Sequence, residues 1–146
     1  MHNTQLPDPV LDAQFYAGVP IKRLFAWMID VVVVFVITIA LVLLTIGLGV
    51  FVFPLLLFGA NLAYRILSLR KWSATLGMRL MGIEVRNMHG NRLDPNEAMF
   101  HTGLYILITL TGFGIPATIL AMLINDHGQG LHDMLLGTTA INRPAD

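Results

Sequence analysis

The sequence predicts an all-α integral membrane protein with about three transmembrane helices, a short interfacial helix and at most a small β pair. Two observations carry that prediction. Apolar residues make up 55% of the 146 residues and charged residues only 12%, against about 25% charged in a soluble domain. A chain so poor in charge cannot cover a soluble surface, so the lipid bilayer is the partner its composition demands. The second observation is placement: no charged residue occurs from Val31 through Tyr64.

Composition also excludes. The formal net charge is zero, with no basic excess to suggest a nucleic-acid partner. There is no cysteine, which removes disulfides, thiolate metal sites, iron–sulfur clusters and a cysteine nucleophile. No phosphate loop, nucleotide fingerprint or zinc-protease motif is present. Thr75-Leu76-Gly77 and Gly112-Phe113-Gly114 are too short to cradle a phosphate. The chain therefore reads as no enzyme and as needing no cofactor.

Residues 1–20 are polar, contain Pro7, Pro9 and Pro20, and read as a flexible arm. Residues 21–142 form the membrane domain and residues 143–146 a tail. Lys22 and Arg23 mark a membrane boundary. From Leu24 to Ile46 the chain is apolar except for Asp30 and two threonines, a helix of about 34 Å for a core of about 30 Å. This first apolar run passes directly into a second, so it reads as a retained signal-anchor. Gly47-Leu48-Gly49 is the expected turn. The second span runs from about Val50 to Leu69 and closes on Arg70, Lys71 and Trp72.

Both outer ends of this hairpin are basic and its turn is uncharged. The loop from Arg70 to Glu97 carries five Lys/Arg. The positive-inside rule then expects a cytoplasmic N-terminus in an inner, or cell, membrane. Trp72, Leu76 and Leu80 recur every four residues and predict the interfacial helix. Met81 to Asn87 alternates as a strand does, with Ile83 and Val85 on one face and Glu84 and Arg86 on the other. His89-Gly90-Asn91 predicts a turn. Asp94, Pro95 and Glu97 form a helix start with a capping box.

The third apolar stretch, Ala98 to Ile124, is interrupted by Gly112, Gly114 and Pro116. One kinked span would put the tail outside; a broken hairpin would return it to the cytoplasm. The single span is favoured, because each half of a hairpin falls short of the roughly 20 residues a crossing needs. In the hairpin alternative, Ile83-Glu84-Val85 and Thr139-Ala140-Ile141 would pair, with Val85 near Ile141.

Asp30 is the most informative residue. A carboxylate in a span costs about 2.5–3.5 kcal/mol on insertion scales and faces a partner or a wet cavity. Arg65 lies at matching depth on the antiparallel helix, in a polar stripe with Asn61 and Ser68. Asp30 and Arg65 are therefore expected either to pair structurally or to leave Asp30 free for a proton, a cation or a basic group. Asp126-His127 and His132-Asp133 invite a metal reading. Histidines five apart share no helix face, so helix capping is the better account, and no metal site is expected. His89 and His101 add nothing specific.

The chain resembles the RDD family of bacterial membrane proteins, named for one arginine and two aspartates. Ile21-Lys22-Arg23-Leu24 through Met28-Ile29-Asp30 carries the arginine and first aspartate. Ser73-Ala74-Thr75-Leu76-Gly77-Met78-Arg79-Leu80-Met81-Gly82-Ile83-Glu84-Val85 matches the glycine-punctuated segment. Gly130-Leu131-His132-Asp133 through Gly137-Thr138 carries Asp133 as the second aspartate. The resemblance implies a membrane protein for which ligand transport, including exchange of a monovalent cation for protons, has been proposed. A three-span monomer hardly encloses a path, so transport would demand a homo-oligomer. The alternative is a non-transporting accessory or scaffold protein.

Overall fold

The computed structural model describes residues 5–144; residues 1–4 of the expected arm and 145–146 of the tail lie outside the described residues. Helix α1 spans Val19–Leu44, and α2 spans Phe53–Trp72, each with a proline in its first turn, where the missing N–H is no loss. At 1.5 Å per residue they are about 39 Å and 30 Å long, and both are apolar enough to cross a membrane. Gly47 at φ 83° and a short 3-10 helix, Leu48–Val52, join them. Val32, Val36, Leu43, Leu55 and Leu67 are exposed on the outer faces, as side chains meeting lipid should be.

The buried stripe of α1 is Val19, Arg23, Ala26, Asp30, Val34, Thr38 and Val42. These positions recur every three or four residues, so one helical face carries both charges inward. Ser73, left-handed at φ 53°, ends α2. The chain then enters α3, Leu76–Leu80, followed by strand β1, Ile83–Arg86. The expected helix is present, but Trp72 closes α2 instead of joining it, and α3 packs against α1. At Gly77 a Cβ would lie 2.1 Å from the Ala26 carbonyl oxygen; only glycine permits this approach.

Helix α4, Pro95–Leu110, starts with the expected Asp94–Glu97 capping box. Helix α5, Gly114–Ile124, follows after a bend of 117°. Gly112 takes φ 75° at the break. Helix α6, Leu131–Leu136, and strand β2, Thr139–Asn142, complete the chain. β1 and β2 pair antiparallel, with Glu84 opposite Ile141 and Val85 opposite Ala140.

That pairing decides the course of the third apolar stretch. β1 precedes α4 and β2 follows α5, and paired strands must lie on one side of the bilayer. The favoured single kinked span therefore does not form; the chain goes in along α4 and comes back along α5. At 16 and 11 residues, α4 and α5 are each shorter than a full crossing, and a hairpin that enters and leaves on one side requires neither to cross. The strand register also differs by one residue from the expected Val85–Ile141 neighbours.

α3, the two strands and α6 make a small head at the N-terminal end of α1. Met78, Ile83, Val85, Leu93 and Ala140 form its core, where a buried side chain of this size contributes about 1.5–3 kcal/mol. Glu84 departs from the alternation: it is fully buried, paired with Arg86 and with Arg92. Residues 5–18 are also not a free arm. Asn142 donates to the carbonyls of Gln14 and Ala17, the Tyr16 hydroxyl donates to that of Pro7, and the Tyr16 ring meets His127 edge-on at 5.4 Å.

Candidate functional site: a buried polar layer between bundle and head

Asp30 sits where α1, α2 and α3 converge. Its Oδ1 accepts from the Tyr64 hydroxyl at 2.5 Å and from the Gly77 N–H at 2.9 Å. Its Oδ2 accepts from the Thr75 hydroxyl at 2.6 Å. Thr75 caps α3 by accepting from Met78 N–H, and the Tyr64 oxygen accepts from Leu76 N–H. The carboxylate thus receives the start of α3, where unpaired N–H groups favour an anion. Charge-assisted bonds of this kind contribute about 1.5–3 kcal/mol each.

The expected Asp30–Arg65 pair does not form. The depth argument places the two residues in one layer, but donors from α3 claim the carboxylate first. Arg65 instead stands over the Tyr105 ring, its Cζ 3.8 Å from the centroid. It is buried, its Nε has no hydrogen-bond partner, and no carboxylate pairs with it among the described residues. Ser68 is buried beside it in the same helix; Asn61 is half-buried and takes no part in the bonds around Asp30.

The ion pair of the layer joins Arg23 to Asp133, at 2.6 Å and with both side chains buried. The second Asp133 oxygen, Oδ1, lies 2.9 Å from His101 Nε2 and accepts from the Thr138 hydroxyl at 3.0 Å. Oδ2 also accepts from Gly130 N–H at 3.0 Å, which ties the turn before α6. Burial by itself would raise this carboxyl; the Arg23 guanidinium and its other neighbours hold it well below the usual carboxylate range. His132, 3.4 Å from Arg23, is pushed down to about 3 by burial, against the pull of Asp133. It is neutral at pH 7, so Arg23 supplies the counter-charge.

His101, His132 and Asp133 present atoms within 4.8 Å of one another, a constellation that the sequence hid because His101 comes from a different helix. It does not fit a metal ion. Four donors already fill the lone-pair directions of Asp133, and Arg23 brings the positive charge a metal would bring. The Asp133 carboxylate is here a neutralised anchor with both oxygens hydrogen-bonded, while the buried Nδ1 of His101 has no partner. Asp126-His127, the other pair that invites a metal reading, lies outside this cluster.

Beside the layer, a cavity of about 280 Å³ opens between α1 and the α4–α5 hairpin. Arg23, Asp30, Arg65, Tyr105 and His132 border it; the rest of its wall is almost entirely apolar. Of the residues singled out from sequence, Arg23, Asp30, Arg65 and Asp133 converge at or next to this floor. Tyr64, Thr75, Gly77, His101 and Tyr105 carry no sequence motif of their own, and only the glycine-punctuated segment around Thr75 and Gly77 hinted at a close approach.

Comparison with curated proteins gave no match, and neither did comparison with solved structures. The RDD family model does match, over residues 17–137, which include Arg23, Asp30 and Asp133. With most of its length inside that match, the chain belongs to the RDD family.

Proposed function

We propose that the protein is a non-transporting accessory or scaffold protein of a bacterial inner membrane, in which the intramembrane charges are structural. One observation carries this reading: both buried charges of α1 are engaged by the head. Asp30 receives the start of α3, and Arg23 receives Asp133 of α6. Groups held in place by several hydrogen bonds or by an ion pair suit a fixed joint better than a group that must be released on every transport cycle. The basic residues Lys22, Arg70, Lys71, Arg79, Arg86 and Arg92 lie in the head or at the helix ends that enter it. By the positive-inside rule they support a cytoplasmic head and N-terminus.

A second reading, exchange of a monovalent cation for protons, is favoured by one feature. Asp30 borders the cavity, and no basic side chain pairs with it among the described residues. That reading requires a homo-oligomer to complete a path across the bilayer. Reconstitution into vesicles with an internal pH dye separates the two. The accessory reading expects no sodium- or potassium-dependent pH change beyond that of empty vesicles. A cation-dependent change that a folded Asp30→Asn variant abolishes would replace it with the exchange reading.

A further inference from the structure

We propose that the cavity between α1 and the α4–α5 hairpin binds one long-chain fatty acid, its carboxylate on Arg65 and its alkyl tail along α5. The argument starts from the charges. Arg23 is neutralised by Asp133 at 2.6 Å. Asp30, also on the cavity, has its oxygens turned to the donors of Tyr64, Thr75 and Gly77. Arg65 is 5% exposed, borders the same cavity, and has neither a carboxylate partner among the described residues nor a hydrogen bond at Nε. Its contact with Tyr105 is weak compensation for a charge within a membrane protein, which ordinarily finds a counter-ion. A planar guanidinium matches a carboxylate through two parallel N–H···O bonds.

The walls select what hangs from that carboxylate. Leu24, Ile108, Ile115, Ile119 and Met122 line the cavity, so a free inorganic anion would leave apolar surface unmatched. Leu24, Ile115 and Ile119 are also exposed at its rim, which in a bilayer meets the acyl chains and gives a lateral entry. A volume of about 280 Å³ falls just below the usual range of ligand pockets, about 300–1,000 Å³, and the open apolar rim lets a tail continue along α5. It suits a single chain with a small head and not a two-chain phospholipid.

The experiment uses the full chain, purified in detergent, stripped of lipid and titrated with labelled palmitate. Hexadecanol, acetate and phosphatidylglycerol serve as competitors. Palmitate should bind once per chain, with hexadecanol weaker by about 10- to 100-fold, the worth of a charge-assisted hydrogen-bond pair, and acetate, which keeps the carboxylate but has no tail to bury, weaker still. Arg65→Gln should lose binding by a similar factor. Should that variant not fold, Ile119→Trp, a change on the exposed rim, decides the matter: it fills the cavity and should abolish binding with Arg65 intact. Equal binding of palmitate and hexadecanol would overturn the proposal. So would displacement of palmitate by phosphatidylglycerol, or wild-type binding by Ile119→Trp.

Discussion

The guanidinium of Arg23 and the carboxylate of Asp133 meet at 2.6 Å although 110 positions separate them in the chain. The pair joins the first turns of the first membrane helix to the last helical element. It therefore holds the returning α4–α5 hairpin and the head against α1. Asp30, two turns deeper, does the same for α3. The two contacts make one joint between membrane bundle and head.

The α3 side of the joint depends on the absence of a side chain at position 77. Gly77→Ala would place a Cβ 2.1 Å from the Ala26 carbonyl, and backbone must move. Overpacking of this kind destabilises by about 1–3 kcal/mol or more. Trypsin cleavage after Arg79, on α3, should become faster in the variant than in the wild type. Unchanged cleavage would mean that α3 is not seated against α1.

The strand pairing puts the loop before α4 and the tail on one side of the membrane. The chain lacks cysteine, so a pair can be introduced cleanly. Val85 and Ala140 are direct partners, and antiparallel partners lie about 4.5–5.5 Å apart at Cα, within disulfide reach. Val85→Cys with Ala140→Cys should cross-link on mild oxidation. Failure to do so, with both cysteines reactive from opposite sides of the membrane, would restore the single kinked span.

The outline of this fold was legible because apolar runs, glycines and capping residues act locally. The lengths of α1 and α2, the turn at Gly47 and the Asp94–Glu97 cap all follow from a few neighbouring residues. The hairpin was not legible, because the Gly112–Pro116 break fits either a kink or a reversal, and only pairing of β1 with β2 decides. The partners of Asp30 were missed for a related reason. Depth along two helices can be counted, whereas the seating of α3 against α1 depends on one glycine and on backbone donors that carry no residue code. Arg23 and Asp133 were both noted, yet nothing in their spacing joined them.

Asp30 and Arg65 line one cavity without touching as an ion pair. Asp30→Asn should lower stability to unfolding in detergent by about 1–3 kcal/mol through lost charge-assisted bonds, and adding Arg65→Gln should not restore it. Residues that share a cavity couple by about 0.5–3 kcal/mol, so the double variant should still fall clearly below the wild type, without the near-complete recovery that removing both members of a buried ion pair gives. Recovery in the double variant would show a direct pair instead.

His132 gives the head a pH dependence of predictable sign. Its folded value of about 3 lies below the ordinary 6.5, so the unfolded chain binds the extra proton first as pH falls. The head loses stability from about pH 6.5 downward, by up to about 1.4 kcal/mol per pH unit. The Asp133 contribution, from a depressed carboxyl, is lost only below about pH 4, the unfolded value. Arg23 lies 3.4 Å and Asp133 3.6 Å from the ring's Nε2, and the His101 and Tyr105 rings meet it edge-on. The thermal midpoint in detergent should fall between pH 6.5 and 5 in the wild type, and His132→Gln should flatten that fall. An equal slope in both would assign the titration elsewhere.

The joint itself is tested most directly by a double-mutant cycle on Arg23 and Asp133, read as unfolding free energy of the full chain in detergent. Asp133→Asn or Arg23→Met alone leaves one buried charge without its partner, at about 3–5 kcal/mol. Together they leave none. The double variant should be more stable than the sum of the single losses by at least about 2 kcal/mol. Losses that simply add, within about 0.5 kcal/mol, would contradict the claim that this pair holds the head to the bundle.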